Sequence, residues 1–337
     1  MKNTDSVAEK LANLKKLRDD LRSGDAILLL RQALGDRSNR IVQRAADILG
    51  EAAADIGDSD VKPIIADLLS AYGRLEVNPL KKDPGCAGKT AIIRALVRLG
   101  HDDAEIYRRG VEYEQPEPIW GGQKDTAAEL RGLCALGLVA SVRSIEVLNR
   151  CAVLLVDEYA EARAGAAQAL AALAAPEGAS LLRLKLLTGD KAPEVVGECC
   201  SAILRLEREA GVDFVVTLLS SENPDVCVHA GLALGDSRLL GAFAPLKSAW
   251  EQRFEQPVRE SLLLCIGLLR STEARDFLLS LIDTRNLRAA DDAIKALKMC
   301  GQLGDVREKS RAAVEATGDA RLANTFVEEW GNEPPSS

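Results

Sequence analysis

The stretch that most nearly carries a chemical signature is 83–90, DPGCAGKT. There Gly88, Lys89 and Thr90 match the end of the phosphate-cradling loop G-x-x-x-x-G-K-[ST]. Asp83 stands where that loop has its first glycine, and an acid facing a polyphosphate repels it. No strand pattern precedes the segment, so it reads as a turn shaped by Pro84, Gly85 and Gly88. His101 and His229 are the only histidines. Cys227 and His229 lie two apart on a predicted helix and point about 200° apart, so they cannot share a metal. No C-x-x-C or H-x-x-x-H pair occurs, and no nucleophilic triad assembles from spacing. No cofactor and no metal site is expected, and the chain reads as non-enzymatic.

The remaining candidate is 113–129, YEQPEPIWGGQKDTAAE. Pro116 and Pro118 hold the backbone extended, Trp120 offers a large apolar face beside two glycines, and Thr126 with Glu129 forms a T-x-x-E capping box for the next helix. Trp120 is either a plug between mismatched repeats or part of a lip, 115–124, that meets a partner.

Composition narrows the class. Of the 337 residues 47% are apolar but only 4% aromatic, the filling of closely packed helices. A net charge of −8 makes nucleic-acid binding the weakest reading, because that affinity comes from Lys and Arg displacing counterions. The eight cysteines are scattered through apolar stretches and read as reduced, buried thiols. No signal-peptide pattern opens the chain and no window reaches eighteen uninterrupted apolar residues, so a cytoplasmic protein without a membrane segment is expected.

The elements that position these residues follow from 160–174, AEARAGAAQALAALA. Laid along the chain, its pattern recurs from Ile41, Gly88, Leu130, Ala162, Val195, Val226, Val258 and Ala289. The ninth position is always a branched aliphatic: Leu49, Leu96, Leu138, Leu170, Ile203, Leu234, Ile266 and Leu297. The eighth is small in all copies but that of Ile48, so neighbouring helices can approach closely and bury one continuous ridge. Short amphipathic helices lie between the copies, and Pro193, Pro224 and Pro257 stand where a first helical turn tolerates a missing N–H. The first two intervals are overlong, the excess falling in 73–88 and 113–129.

The order VR, AA, AL with a period of 31 to 33 residues, over about 37–300, resembles HEAT repeats of the PBS-lyase type. The resemblance implies an all-α fold, an α-α superhelix formed as a right-handed solenoid of about eight HEAT-like hairpins. Beyond Met299 the copies decay, so 301–330 reads as C-terminal capping helices and 331–337 as a disordered tail, while 1–36, with a mildly basic helix over 4–21, reads as the cap at the other end. The family's Arg at motif position two is matched by Arg131, Arg163 and Arg259, and by charge by Lys89. By the family's pattern the motif helices line the concave face, which puts third and seventh motif residues there. Leu136, Val228, Leu232 and Leu264 are apolar at those positions: either the inside-outside assignment is off by one residue, or an apolar strip awaits a peptide or helix. The expected function is a protein–protein scaffold or adaptor with Trp120, Leu232 and Leu264 as anchors, Leu136 and Val228 beside them, and Arg94 and Glu260 at the rim. The alternatives are a lyase-like enzyme or enzyme subunit holding a small ligand in the concavity, and, more weakly, nucleic-acid binding.

Overall fold

The computed structural model describes residues 6–18, 24–284, 286–301 and 305–331. The expected tail beyond Gly331, and the ends of the N-terminal helix read at 4–21, lie outside those residues. The described part is helical apart from one two-stranded hairpin, as an alanine- and leucine-rich, aromatic-poor sequence dictates. Its packing divides into two compact units, 1–173 and 174–337. The division falls inside the segment 37–300 that the repeat pattern treats as a single run.

In the first unit the motif helices Asn39–Glu51, Ala87–Arg98, Ala128–Leu138 and Ala160–Leu173 pack in sequence order. Asp58–Glu76, Ala104–Gly110 and Ser144–Leu154 intervene, and Val7–Leu17 and Gly24–Leu34 cover the first motif helix. Ser6 and Glu9 form a reciprocal capping box that starts the first of these. In the second unit the motif helices are Pro193–Glu207, Pro224–Ser237, Gln256–Leu268 and Leu287–Leu297. Pro176–Thr188, Glu209–Val216, Phe243–Gln252 and Thr272–Ile282 alternate with them, and Val306–Thr317 and Ala320–Trp330 follow. Pro193 and Pro224 sit at the first helical position, where a missing N–H costs nothing.

All eight ninth-position aliphatics are 0% exposed. Each contributes roughly 1.5–3 kcal/mol by leaving water, so this ridge is the main cohesive force within each unit. Small residues at other motif positions permit the approach, Gly50 at a tenth position and Gly165 at a fourth among them. A Cβ on Gly50 would meet the Ala95 backbone at 2.9 Å, and one on Gly165 would meet the Gly132 Cα at 2.4 Å. The third and seventh positions form a partly exposed face, with Thr90 and Gly132 the two that are buried. A one-residue slip of the inside-outside assignment is therefore not what makes Leu136, Val228, Leu232 and Leu264 apolar.

Candidate functional site

The 83–90 segment is a turn, and the groups that would cradle a phosphate are already occupied. The buried Asp83 carboxylate accepts the N–H groups of Gly88 at 2.7 Å and Lys89 at 3.0 Å, together with the Asn39 amide at 3.2 Å. These are the N–H groups that a polyphosphate would need. Gly85 takes φ 75°, open to glycine without strain.

Lys89 points inward and carries the next layer. Its ammonium, 0% exposed, donates to the Tyr113 hydroxyl at 2.8 Å and to the Gln115 side-chain oxygen, and lies 4.6 Å from the centre of the Tyr113 ring. Burial lowers its pKa, opposed by the nearby Cys86 and Asp83. Gln115, also buried, donates to the Asp83 carbonyl at 2.8 Å and to Glu117 at 2.6 Å, and Glu117 accepts the Gly85 N–H at 2.6 Å. The turn at 83–88 is thereby tied to 113–117.

That segment is the first strand of an antiparallel hairpin, Pro116–Ile119 with Gly122–Asp125, not the loop that the sequence suggested. Gly121 at φ 89° makes its two-residue turn. Thr126 donates its N–H to the Gln115 carbonyl at 3.0 Å, so 115, 117 and 119 carry the ladder while Pro116 and Pro118 face outward. The proline edge has no donors to offer an additional strand. On the other edge the Asp125 N–H donates to the Tyr159 hydroxyl at 2.9 Å.

Asp125 and Arg131 hold the hairpin's base. Asp125 accepts the N–H groups of Gln115 at 2.7 Å and Ala127 at 3.0 Å and pairs with Arg131. Arg131 also grips Asp157 through two nitrogens, at 3.0 and 3.1 Å, and the Tyr113 carbonyl at 3.0 Å. Beside this base lies an open cleft of about 300 Å³ lined by Glu114, Asp125, Arg131, Asp157, Glu158 and Tyr159 among others. The capping box read at Thr126 and Glu129 does not form. Thr126 bonds Gln115 and Glu117 instead, and Glu129 pairs with Arg94 at 2.6 Å. Tertiary partners outcompete the local cap.

The locked base presents an apolar tip. Trp120 is 101% exposed and Ile119 54%. Trp120 therefore fills no gap between repeats. Leu136 lies in the first unit, half-buried on its motif helix. Arg94 bridges Asp47 at 2.8 Å and Glu129, a ladder across three successive motif helices. In the second unit Leu232 is 38% exposed, Val228 and Leu264 are half-buried, and Glu260 meets Lys295 at 3.5 Å. The structure thus places Trp120, Arg94 and Leu136 in the first unit and Val228, Leu232, Glu260 and Leu264 in the second.

Sequence reasoning passed over Tyr113, Gln115, Glu117, Asp125, Asp157 and Tyr159. The overlong interval before Leu130 marked their neighbourhood, but which of its polar residues face inward is a tertiary property. Among the motif arginines, Arg131 bonds the turn carboxylates of Asp125 and Asp157. Arg163 donates to the carbonyls of Asp157 and Glu158, and Arg259 to those of Trp250 and Arg253.

The chain has a helical-repeat fold. No family model matches this sequence, and no curated protein matches it significantly. Among solved structures it is similar to human deoxyhypusine hydroxylase in complex with glycerol, at 20% identity over 79% of this chain and 91% of that one, TM-score 0.31. It is also similar to an engineered protein, at 16% identity over 96% and 91%, TM-score 0.35. Kap121p bound to Nup53p is similar at 13% identity over 98% of this chain, TM-score 0.43, and this chain spans 46% of that one. No described helix is long and apolar enough to cross a membrane.

Proposed function

We propose that the chain is a non-catalytic scaffold of HEAT type that binds a partner protein in the cytoplasm, with the hairpin tip as its principal contact. The observation that carries this reading is Trp120, fully exposed at the end of a hairpin whose base is fixed by buried polar groups. An indole left in water has no folding role to explain it. A large aromatic on a pre-ordered support loses little conformational entropy on binding, which is the property of an interface anchor. Val228, Leu232 and Leu264, with Glu260 beside them, supply a second apolar patch on the other unit. Arg94 and Leu136 serve the first.

The state of the titratable groups supports binding over catalysis. Asp83, Asp125, Asp157, Lys89 and Arg131 are each engaged in holding the hairpin. The eight cysteines are buried and unpaired, which suits a reducing compartment.

The test is affinity purification from the native organism with the wild-type chain and with Trp120→Glu. The variant is expected to lose the captured partner while its circular dichroism and melting temperature stay unchanged. Capture of the same partner in equal yield by Trp120→Glu would sink the proposal.

A further inference from the structure

The turn organised by Asp83 explains only the later half of the first overlong interval, 73–88. The earlier half builds a cleft. Where Asp58–Glu76 ends, Asn78 turns the chain at φ 61°, in the left-handed region that Asn tolerates. The short helix Pro79–Lys82 then returns the Lys82 ammonium to 3.4 Å from the Arg74 carbonyl. The Arg74 guanidinium in turn reaches the end of Gly24–Leu34, donating to the Leu34 carbonyl and, at 3.5 Å, to that of Asp36. Asp36, Arg37, Arg74, Leu75 and Lys82 together line a cavity of about 360 Å³.

The charges in this cleft do not balance. Three cations share it with one carboxylate, and that carboxylate is already engaged: Asp36 pairs with Lys10 at 2.7 Å and accepts the Ser38 N–H at 2.8 Å. Arg37, Arg74 and Lys82 pair with no carboxylate among the described residues. Part of this arrangement serves folding, since Arg74 and Lys82 satisfy carbonyls at helix C-terminal ends, where a cation is favoured. That role occupies at most two of the five N–H groups of Arg74 and one of the three of Lys82. The exposed Arg37 side chain caps nothing and bonds no described residue. Like charges gathered without a counter-charge repel one another, and in a chain of net charge −8 their concentration at one cleft does not follow from composition.

We infer that this cleft binds a phosphate group in its dianionic form. Three cations suit a dianion better than the single charge of a carboxylate, and the planar fork of guanidinium matches phosphate oxygens. The N–H groups that Arg37, Arg74 and Lys82 do not use within the fold are the donors such a group accepts from. The cavity lies at the lower end of ligand-pocket sizes, roughly 300–1,000 Å³, and holds a phosphate together with part of whatever carries it. Here side chains supply the donors, whereas at 83–90 the backbone N–H groups that a phosphate needs are taken by Asp83. The inference uses none of the hairpin residues and stands or falls independently of the scaffold reading.

The test is isothermal titration of the full chain with inorganic phosphate, glucose 6-phosphate and a hexapeptide carrying one phosphoserine, against sodium acetate at equal ionic strength. At pH 8 at least one of the three is expected to bind tenfold or more tightly than acetate. Which of them binds best distinguishes free phosphate, a phosphorylated metabolite and a phosphorylated side chain as the source. Lowering the pH to about 5 is expected to weaken that binding severalfold, because a phosphate whose second pKa is about 6 loses a charge. Arg37→Gln with Lys82→Gln is expected to weaken it tenfold or more while the melting temperature of the free chain holds or rises, since Arg74 keeps its cap and the like charges are relieved. Should the double variant fail to fold, Arg37→Gln alone, at an exposed side chain that bonds no described residue, is expected to weaken binding threefold or more. Failure of all three ligands to bind, acetate binding as tight as theirs, affinity no weaker at pH 5, or undiminished affinity in the folded variants would each overturn the inference.

Discussion

The ammonium of Lys89 lies 3.9 Å from the Asp83 carboxylate, and neither side chain has any exposure to solvent. The pair joins the first overlong interval of the repeat to the second: Asp83 organises the turn, and Lys89 reaches from it to Tyr113 and Gln115. The position of Trp120 is thus set from beneath by residues that no partner could touch.

Removing either member of this pair strands a charge in the core, a change that costs about 3–5 kcal/mol. Lys89→Met and Asp83→Asn are each expected to lower stability by that order in urea unfolding. The double variant is expected to lose less than the sum of the two, since it buries no unpaired charge. Strict additivity would show that the two groups act independently.

Two glycines that sequence alone treats alike are expected to diverge. Gly165→Ala would drive a Cβ to 2.4 Å from the Gly132 Cα and is expected to cost about 2 kcal/mol or more, because backbone must move. Gly73, inside Asp58–Glu76, has nothing within 4 Å of a new Cβ. Gly73→Ala is expected to raise stability by about 0.5–1 kcal/mol, the difference in helix propensity. Thermal melts of the two variants read both signs.

The cysteines are expected to be silent in the native state. Burial pushes the thiols of Cys86, Cys151 and Cys199 up to about 12 and that of Cys300 to about 11, and all eight side chains are buried. Ellman's reagent should therefore release almost no chromophore at pH 8 until denaturant is added, and then eight equivalents. Rapid labelling of the native chain would contradict the packing described.

Asp125 is expected to contribute to acid sensitivity. Burial raises its pKa, but the Gln115 and Ala127 N–H groups and the Arg131 guanidinium outweigh that and hold it below the usual carboxylate value. Its stabilisation is therefore complete above the unfolded value of about 4 and is lost as pH falls through the lower folded value. Asp125→Asn is expected to be less stable than wild type at neutral pH and to lose less of its stability below about pH 4. Parallel stability profiles for the two proteins would exclude this role.

The helical class, the repeat register and the buried ninth-position ridge were legible in the order of residues. They depend on local periodicity, and a period of 31 to 33 residues with an aliphatic beside a small residue leaves one way to bury that ridge. The two stretched intervals were legible as interruptions of the same period. Their contents were not. Whether Thr126 and Glu129 cap a helix or reach to Glu117 and Arg94 depends on groups tens of residues away in the chain. The same holds for Trp120, whose exposure follows from a network of buried Lys89 and Gln115 with half-buried Asp125, built from three separate segments. Sequence periodicity sets which face of a helix is buried; long-range hydrogen bonds and backbone conformation decide what the exposed remainder presents, and only the tertiary structure holds those.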